Sequence, residues 1–359
     1  MQWKYVPRKM YTMELHETGP PFPVVSLALL LPLLVVLPGC DLFGFDSVQQ
    51  CYVPSAGPEA GGRVVMTAAY DEGEDTAHRL IVTDLQNPSN YRVLRKAGDH
   101  VGEAYFGPEK RRIVFEKDAR LIEDAGGRLA LYDLESNEVR LLTDAPWTGV
   151  GGGNVVWEAD GSGFYYNTGG AWSLPSLVHH DLEKQKARYL AQRTRIHGLK
   201  GRTSMLVYNR RPANEGRFPF YFFDVEKEAY TEHVRNEYLK IVEWEDESRG
   251  GHKYAAFGPA YGNETDLIAF RQKSEDEKTR LAITDVEGDC FGTYTDGRYI
   301  DSDLDWGPGG TVLFGRHDSF SSGWGEYRVM VLDAGTGEVR RLVDPAVIDG
   351  AVGLHSPDY

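Results

Sequence analysis

From Gly62 onward the chain alternates short apolar runs with turns rich in Gly, Pro, Asn and Asp, and no stretch keeps the periodicity of an amphipathic helix. The most regular landmark is an apolar run closed by Asp: LIVT before Asp84, LALY before Asp133, LVHH before Asp181, FYFF before Asp224, LAIT before Asp285 and VMVL before Asp333. These recur at intervals of roughly fifty residues, the period of a repeat architecture. The runs are nearly continuous rather than alternating, which predicts strands buried on both faces. Each closing Asp is expected to accept backbone N–H groups from the turn that follows. A further strand comes after most of them, as in EVRLLTD from Glu138 and EVRRLVD from Glu338.

A second landmark precedes the first in each repeat: an aromatic residue, a turn and a β-rich run. It starts at Phe106, Trp157, Phe257 and Trp306, with a degenerate copy at His197. The aromatics are expected to wedge between neighbouring repeats as core. Together the landmarks resemble the TolB-type (WD40-like, PD40-type) propeller repeat, in which Trp-Ser-Pro-Asp-Gly precedes a strand, a loop, a strand ending in Asp and a last strand ending in Leu-Thr. The likeness covers residues 62–359; the Gly-His and Trp-Asp pairing of WD40 repeats is absent. It implies an all-β, six-bladed β-propeller. The final GLHSPDY, Gly353 to Tyr359, reads as the inner strand missing from the first repeat, so the C-terminal strand is expected to join the first blade and close the ring. TolB also carries an α/β domain, and prolyl oligopeptidases carry a hydrolase domain beside a similar ring. No counterpart of either is expected here.

The first residues read differently. Lys4, Arg8 and Lys9 precede an apolar run from Val24 to Leu37 that is short for a membrane span and broken by Pro32. It ends in Leu37-Pro38-Gly39-Cys40, which resembles the lipobox of bacterial lipoproteins. That resemblance implies a signal peptide over 1–39, lipidation of Cys40, a tether over 40–61 and a location in the bacterial cell envelope.

Composition narrows the partners. The 359-residue chain carries a net charge of −15, which disfavours nucleic acid and anionic lipid headgroups. Its contact with membrane is expected through the lipid anchor alone, and the propeller is expected to be a monomer. No nucleophile elbow, zincin helix or Walker loop is present, and the Gly-rich run from Gly149 to Gly153 lacks the Lys-Ser/Thr of a phosphate cradle. Asn263-Glu264-Thr265 is a formal glycosylation sequon, read here as a polar loop.

The remaining candidates are few. Asp301, Asp303 and Asp305 alternate on a predicted inner strand and would share one face, where they form either a hydrated acidic wall or a site for a hard cation such as Ca²⁺. His100, His252 and His355 fall on or beside predicted inner strands, with His197 at the degenerate turn. Their convergence would suit a metal, as in oligogalacturonate lyases, whose repeat this one resembles. Cys51 and Cys290 are either a disulfide or two free thiols. Trp244, amid Glu243, Glu245, Asp246 and Glu247, lies in the longest interval and is a candidate for contact with an envelope protein or carbohydrate. The expected function is a non-catalytic binding scaffold without a required cofactor. The alternative is a metal-dependent carbohydrate lyase or hydrolase acting at the propeller axis.

Overall fold

The computed structural model describes residues 49–54, 61–72, 76–117, 128–142, 155–168, 175–209, 220–239, 241–243, 252–254, 256–273, 279–318 and 327–359. Cys40, Trp244 and the run from Gly149 to Gly153 lie outside them. The described strands form six four-stranded antiparallel sheets, the blades of a six-bladed propeller. Five blades take their strands consecutively. Their innermost strands are Val101–Phe106 (blade 2), Val155–Trp157 (blade 3), Thr194–Lys200 (blade 4), Ala256–Gly262 (blade 5) and Ile300–Trp306 (blade 6).

Blade 1 is different. Its inner strand is Ala351–Asp358, paired antiparallel with Arg63–Asp71, and Thr76–Asp84 and Arg92–Val93 complete it. The ring is therefore closed by strands from opposite ends of the sequence, in the order the sequence predicts. Closure gives blade 1 the same four strands as the other five.

The continuous apolar runs find their reason in how the blades stack. On the second strand of blade 2, Ile113 and Phe115 belong to the core shared with blade 1, whereas Val114 between them belongs to the core shared with blade 3. On blade 4, Met205 and Val207 face blade 3 and Leu206 faces blade 5. Successive side chains point to opposite faces, and both faces are interfaces. Among the described residues each of the six blade-to-blade seams holds one apolar cluster. Truncating a ring such as Phe115, wholly buried, would cost about 3–5 kcal/mol.

The closing aspartates act on the turns. Asp133 Oδ1 accepts from the N–H groups of Glu135 and Ser136 at 2.9 and 3.0 Å, and Asp224, Asp285 and Asp333 repeat the arrangement. The aromatic wedges bind the preceding blade: Trp306 Nε1 donates to the Ala260 carbonyl at 2.9 Å, and Trp157 Nε1 to that of Tyr105 at 3.4 Å.

One landmark needs correction. In blade 5 the wedge position belongs to Tyr261, not Phe257, because Tyr261 pairs with Ile268 as Phe106 does with Ile113. Gly262 follows it, and a Cβ there would meet the Trp306 ring at 2.9 Å. Asn263 of the sequon caps the neighbouring turn, its Oδ1 accepting from Gly201 N–H at 2.7 Å.

Residues 49–54 form a strap across blades 5 and 6. Gln49 bridges to Cys290 in parallel, and its carbonyl accepts from Phe291 N–H at 3.0 Å. Cys51 is disulfide-bonded to Cys290, and Val53 is buried against the turn at Gly310. Bridging positions 239 residues apart would contribute roughly 2–4 kcal/mol. No helix among the described residues is long and apolar enough to cross a membrane.

Candidate functional site

Residues from all six inner strands line one cavity of about 200 Å³, the axial channel of the ring. It adjoins a funnel of about 390 Å³ at the mouth where the aromatic wedges sit, since Val155, Val156, Gly198, Tyr261, Asp305 and Asp358 border both. Five inner strands bulge at a corresponding level, for instance between Val101 and Ala104 in blade 2 and between Ser302 and Asp305 in blade 6. A bulge breaks strict alternation and re-aims side chains. That is how one short strand can place several residues on the axis.

The wall is divided. Blades 6, 1 and 2 contribute Asp303, Asp305, Ser356, Asp358, Glu103 and Tyr105. Blades 3, 4 and 5 contribute Val155, Val156, Gly198, Pro259 and Ala260 toward the mouth, with His197, Arg195 and Arg271 among them. One half is therefore acidic and hydroxylic. The other is small and apolar, with its positive charge on two arginines.

The acidic half is stitched to the ring seam. Asp358 Oδ2 accepts from Phe106 N–H at 2.6 Å, and Asp305 Oδ2 accepts from Tyr359 N–H at 2.7 Å, so each carboxylate ties its blade to the next. Lys110 Nζ lies 3.7 Å from the centre of the Tyr359 ring. Burial, with the neighbouring Asp305 charge, raises the Asp358 pKa well above the carboxylate range. Burial also pushes Asp305 up to about 6. Glu103 accepts from the Tyr105 hydroxyl at 2.6 Å, yet burial and the nearby Asp303 push it up to about 7. This wall carries less negative charge at neutral pH than its composition suggests.

The opposite half is set by different causes. Burial, then the Arg195 charge, lowers the His197 pKa to about 3, so its imidazole is neutral at physiological pH. The ring is 7% exposed, and its Nδ1 has no hydrogen-bond partner. Arg271 comes from the second strand of blade 5, opposite Phe257 and next to the bulge. Its Nη1 donates to the Asp301 carbonyl at 3.4 Å, while its buried Nε has no hydrogen-bond partner. Desolvation lowers its pKa against the pull of Asp303 and Asp301.

The three alternating aspartates do not share a face. The bulge puts Asp303 in the left-handed region (φ 49°) and leaves Asp303 and Asp305 on the channel. Asp301 turns the other way. It is wholly buried and takes Arg316 Nε at 2.7 Å and the Thr295 hydroxyl at 2.8 Å, a structural ion pair.

The histidines do not converge as a set either. His197 lines the channel. His355 meets His78 edge-on at 5.5 Å between ring centres, and His78 bridges to His100 beside the inner strand of blade 2. Burial, then His78, lowers the His355 pKa to about 3. His252 falls not on an inner strand but on a ribbon in which His252–Tyr254 pairs with Ile241–Glu243. No group of three or more His, Cys, Asp or Glu among the described residues is arranged to hold a metal ion.

Glu103, Tyr105, Arg195, Arg271 and Asp358 are channel residues that the repeat reading passed over. Most of them share one signal, a charge inside an inner strand where a repeat would otherwise be apolar.

This architecture defines a TolB-like six-bladed β-propeller. The structure is similar to TolB from Acinetobacter baumannii, with a TM-score of 0.56 and 11% identity over 83% of this chain and 66% of that one. It is similar to a putative TolB from Agrobacterium tumefaciens, with a TM-score of 0.52 and 14% identity over 79% and 89% of the two chains. The β-propeller domain of the Trilobed protease from Pyrococcus furiosus, described as having an open velcro topology, gives 0.52 and 13% over 81% and 94%. At these identities the likeness concerns the fold. No family model and no curated protein matches the sequence.

Proposed function

We propose that this chain is a non-catalytic binding scaffold of the bacterial cell envelope, anchored by lipid on Cys40, whose partner or ligand engages the axial channel through its aromatic mouth. The observation that carries this reading is the channel itself. A rigid ring held by six apolar seams presents a polar cavity lined by every blade and continuous with a wider funnel. Concave sites with a few convergent polar groups are where globular proteins bind ligands. The TolB-like fold and the Cys51–Cys290 disulfide both accord with an oxidising envelope compartment. The partner is an envelope protein or a carbohydrate, and the interval around Trp244 is a second contact candidate.

Two experiments test this. Cys40→Ser should move the protein from the membrane to the soluble fraction; unchanged fractionation would remove the lipid anchor from the proposal. A pull-down from detergent-solubilised membranes should recover a partner that is lost when Val156, which borders both cavity and funnel, is replaced by Trp to obstruct the channel. Equal recovery with an obstructed channel would place binding elsewhere on the ring.

A further inference from the structure

The two halves of the channel differ not only in character but in depth. Tyr105, Asp305 and Asp358 each stand one residue before a wedge aromatic, at the mouth. Arg195 stands four residues before Leu199, which holds the wedge position of blade 4 through its pairing with Met205. Arg271 lies opposite Phe257, four residues before Tyr261. The bulge takes up one residue of each strand, so Tyr208, opposite Arg195, and Arg271 stand two residues beyond Leu206 and Ala269 at the mouth. At ~3.3 Å per strand residue the arginines sit on the order of 7 Å deeper than Tyr105, Asp305 and Asp358, with Glu103 and Asp303 between the two levels. A ligand entering from the funnel meets carboxylates and a phenol first and guanidinium groups last.

One polar atom at the deeper level has no hydrogen-bond partner in the protein: Arg271 Nε, a donor fixed by its guanidinium. An unpaired buried donor costs roughly 1–3 kcal/mol, a cost that a bound acceptor would remove. The group that matches a guanidinium edge is a planar oxyanion, which accepts two parallel N–H bonds. The mouth tier asks for the opposite. Asp305 and Asp358 already accept backbone N–H groups from Tyr359 and Phe106, and carboxylate oxygens there suit further N–H donors. Val155, Val156, Gly198, Pro259 and Ala260 leave room opposite for small side chains. An oxyanion at one end, with N–H donors starting a few ångströms behind it, describes the carboxyl end of a peptide.

We propose that the channel is a receptor for a free peptide carboxyl terminus, taken in carboxylate first, with Arg271 and Arg195 holding the carboxylate and Asp305, Asp358 and Tyr105 facing the amides behind it. The inference rests on reading the ring as a binding scaffold and names the chemistry of its site. The cavity of about 200 Å³ with its funnel of about 390 Å³ has room for a short terminal segment. Lys110 at the mouth offsets part of the acidic charge that an entering carboxylate must pass. The terminus can belong to a free peptide or to a protein partner.

The test is calorimetric titration of the full-length chain in detergent with trialanine, trialanine amide and N-acetyl-trialanine. Trialanine and its acetylated form should bind, and the amide should bind at least tenfold more weakly. Arg271→Gln and Arg195→Gln should each weaken trialanine at least tenfold while leaving the amide unchanged. Equal binding of acid and amide would overturn the proposal, as would no binding of trialanine at millimolar concentration. The ligand-side comparison holds even where an arginine variant fails to fold. A folded carrier protein ending in Ala-Ala-Ala separates the sources: binding as tight as trialanine assigns the site to protein termini, and binding of trialanine alone assigns it to free peptides. A membrane partner retained equally by wild type and Arg271→Gln would leave the scaffold standing and sink the carboxylate site.

Discussion

The two halves of the channel wall are built from one repeat and behave as different materials. In blades 6, 1 and 2 the position before the wedge is Asp305, Asp358 or Tyr105, and the two carboxylates bond the next blade's backbone across the seam. In blades 3, 4 and 5 the same position is Val156, Gly198 or Ala260, whose side chains can make no such bond, although the Ala260 carbonyl accepts from Trp306 Nε1. The half that contains the joint between the chain's two ends is the half with carboxylate ties. Apolar burial is non-directional, whereas a carboxylate accepting an N–H group fixes register. Where a seam joins strands distant in sequence, register is the property most in need of fixing.

The largest test of this difference is removal of Ala351 to Tyr359, which deletes the inner strand of blade 1 and both seam bonds at once. With total stability of ~5–15 kcal/mol for a domain, we expect loss of cooperative melting by circular dichroism. A melting curve like that of the whole chain would show that the acidic half does not hold the ring.

Next comes Asp301→Asn, which leaves Arg316 without its buried counter-charge and should cost about 3–5 kcal/mol in urea unfolding. Asp303→Asn, two residues on but exposed to the channel, should change stability by less than about 0.5 kcal/mol. Equal effects would mean that the bulge does not separate the two.

On the apolar half, Gly198 has φ +144°, and a Cβ there would meet Tyr261 atoms at 2.8 and 2.9 Å. Gly198→Ala should therefore destabilise by roughly 1–3 kcal/mol. A neutral result would show slack in the wall of blades 4 and 5.

The smallest effect is a pH dependence. The Glu103 pKa is raised from 4.5 to about 7 on folding, so the folded state binds the extra proton and this residue's contribution falls as pH rises from about 4.5 to 7. His197 and His355, lowered from 6.5 to about 3, work in the opposite direction, adding stability as pH rises from about 3 to 6.5. Comparing Glu103→Gln with wild type isolates the first: the variant should gain about 1–2 kcal/mol between pH 4.5 and 8. A constant difference across that range would contradict the buried acid.

The fold was legible because each repeat must bury both faces of its middle strands, and that requirement writes continuous apolar runs into the sequence. Ring closure was legible because GLHSPDY supplies a strand the first repeat lacks. Blade 5 was misread since Phe257-Gly258-Pro259 and Tyr261-Gly262-Asn263 both look like a wedge and turn. The interval to the next strand decides between them, as Phe106 to Ile113, Trp157 to Phe164 and Tyr261 to Ile268 are equal steps. The site was legible only in outline. Period-two alternation places Asp301 with Asp303 and Asp305, but a bulge has no compositional signature here and separates them. Arg271 reaches the axis from a second strand, a placement that no periodicity announces.

The closing strand also sets a clock. Arg63–Asp71 is made well before its partner Ala351–Asp358. At a synthesis rate of ~5–20 residues per second, roughly a quarter of a minute to a minute separates them. During that interval Arg63–Asp71 presents an open strand edge to whatever is nearby, a standing hazard for pairing with the wrong chain. The tie between Asp358 and Phe106 can form only once the strands of all six blades have been made.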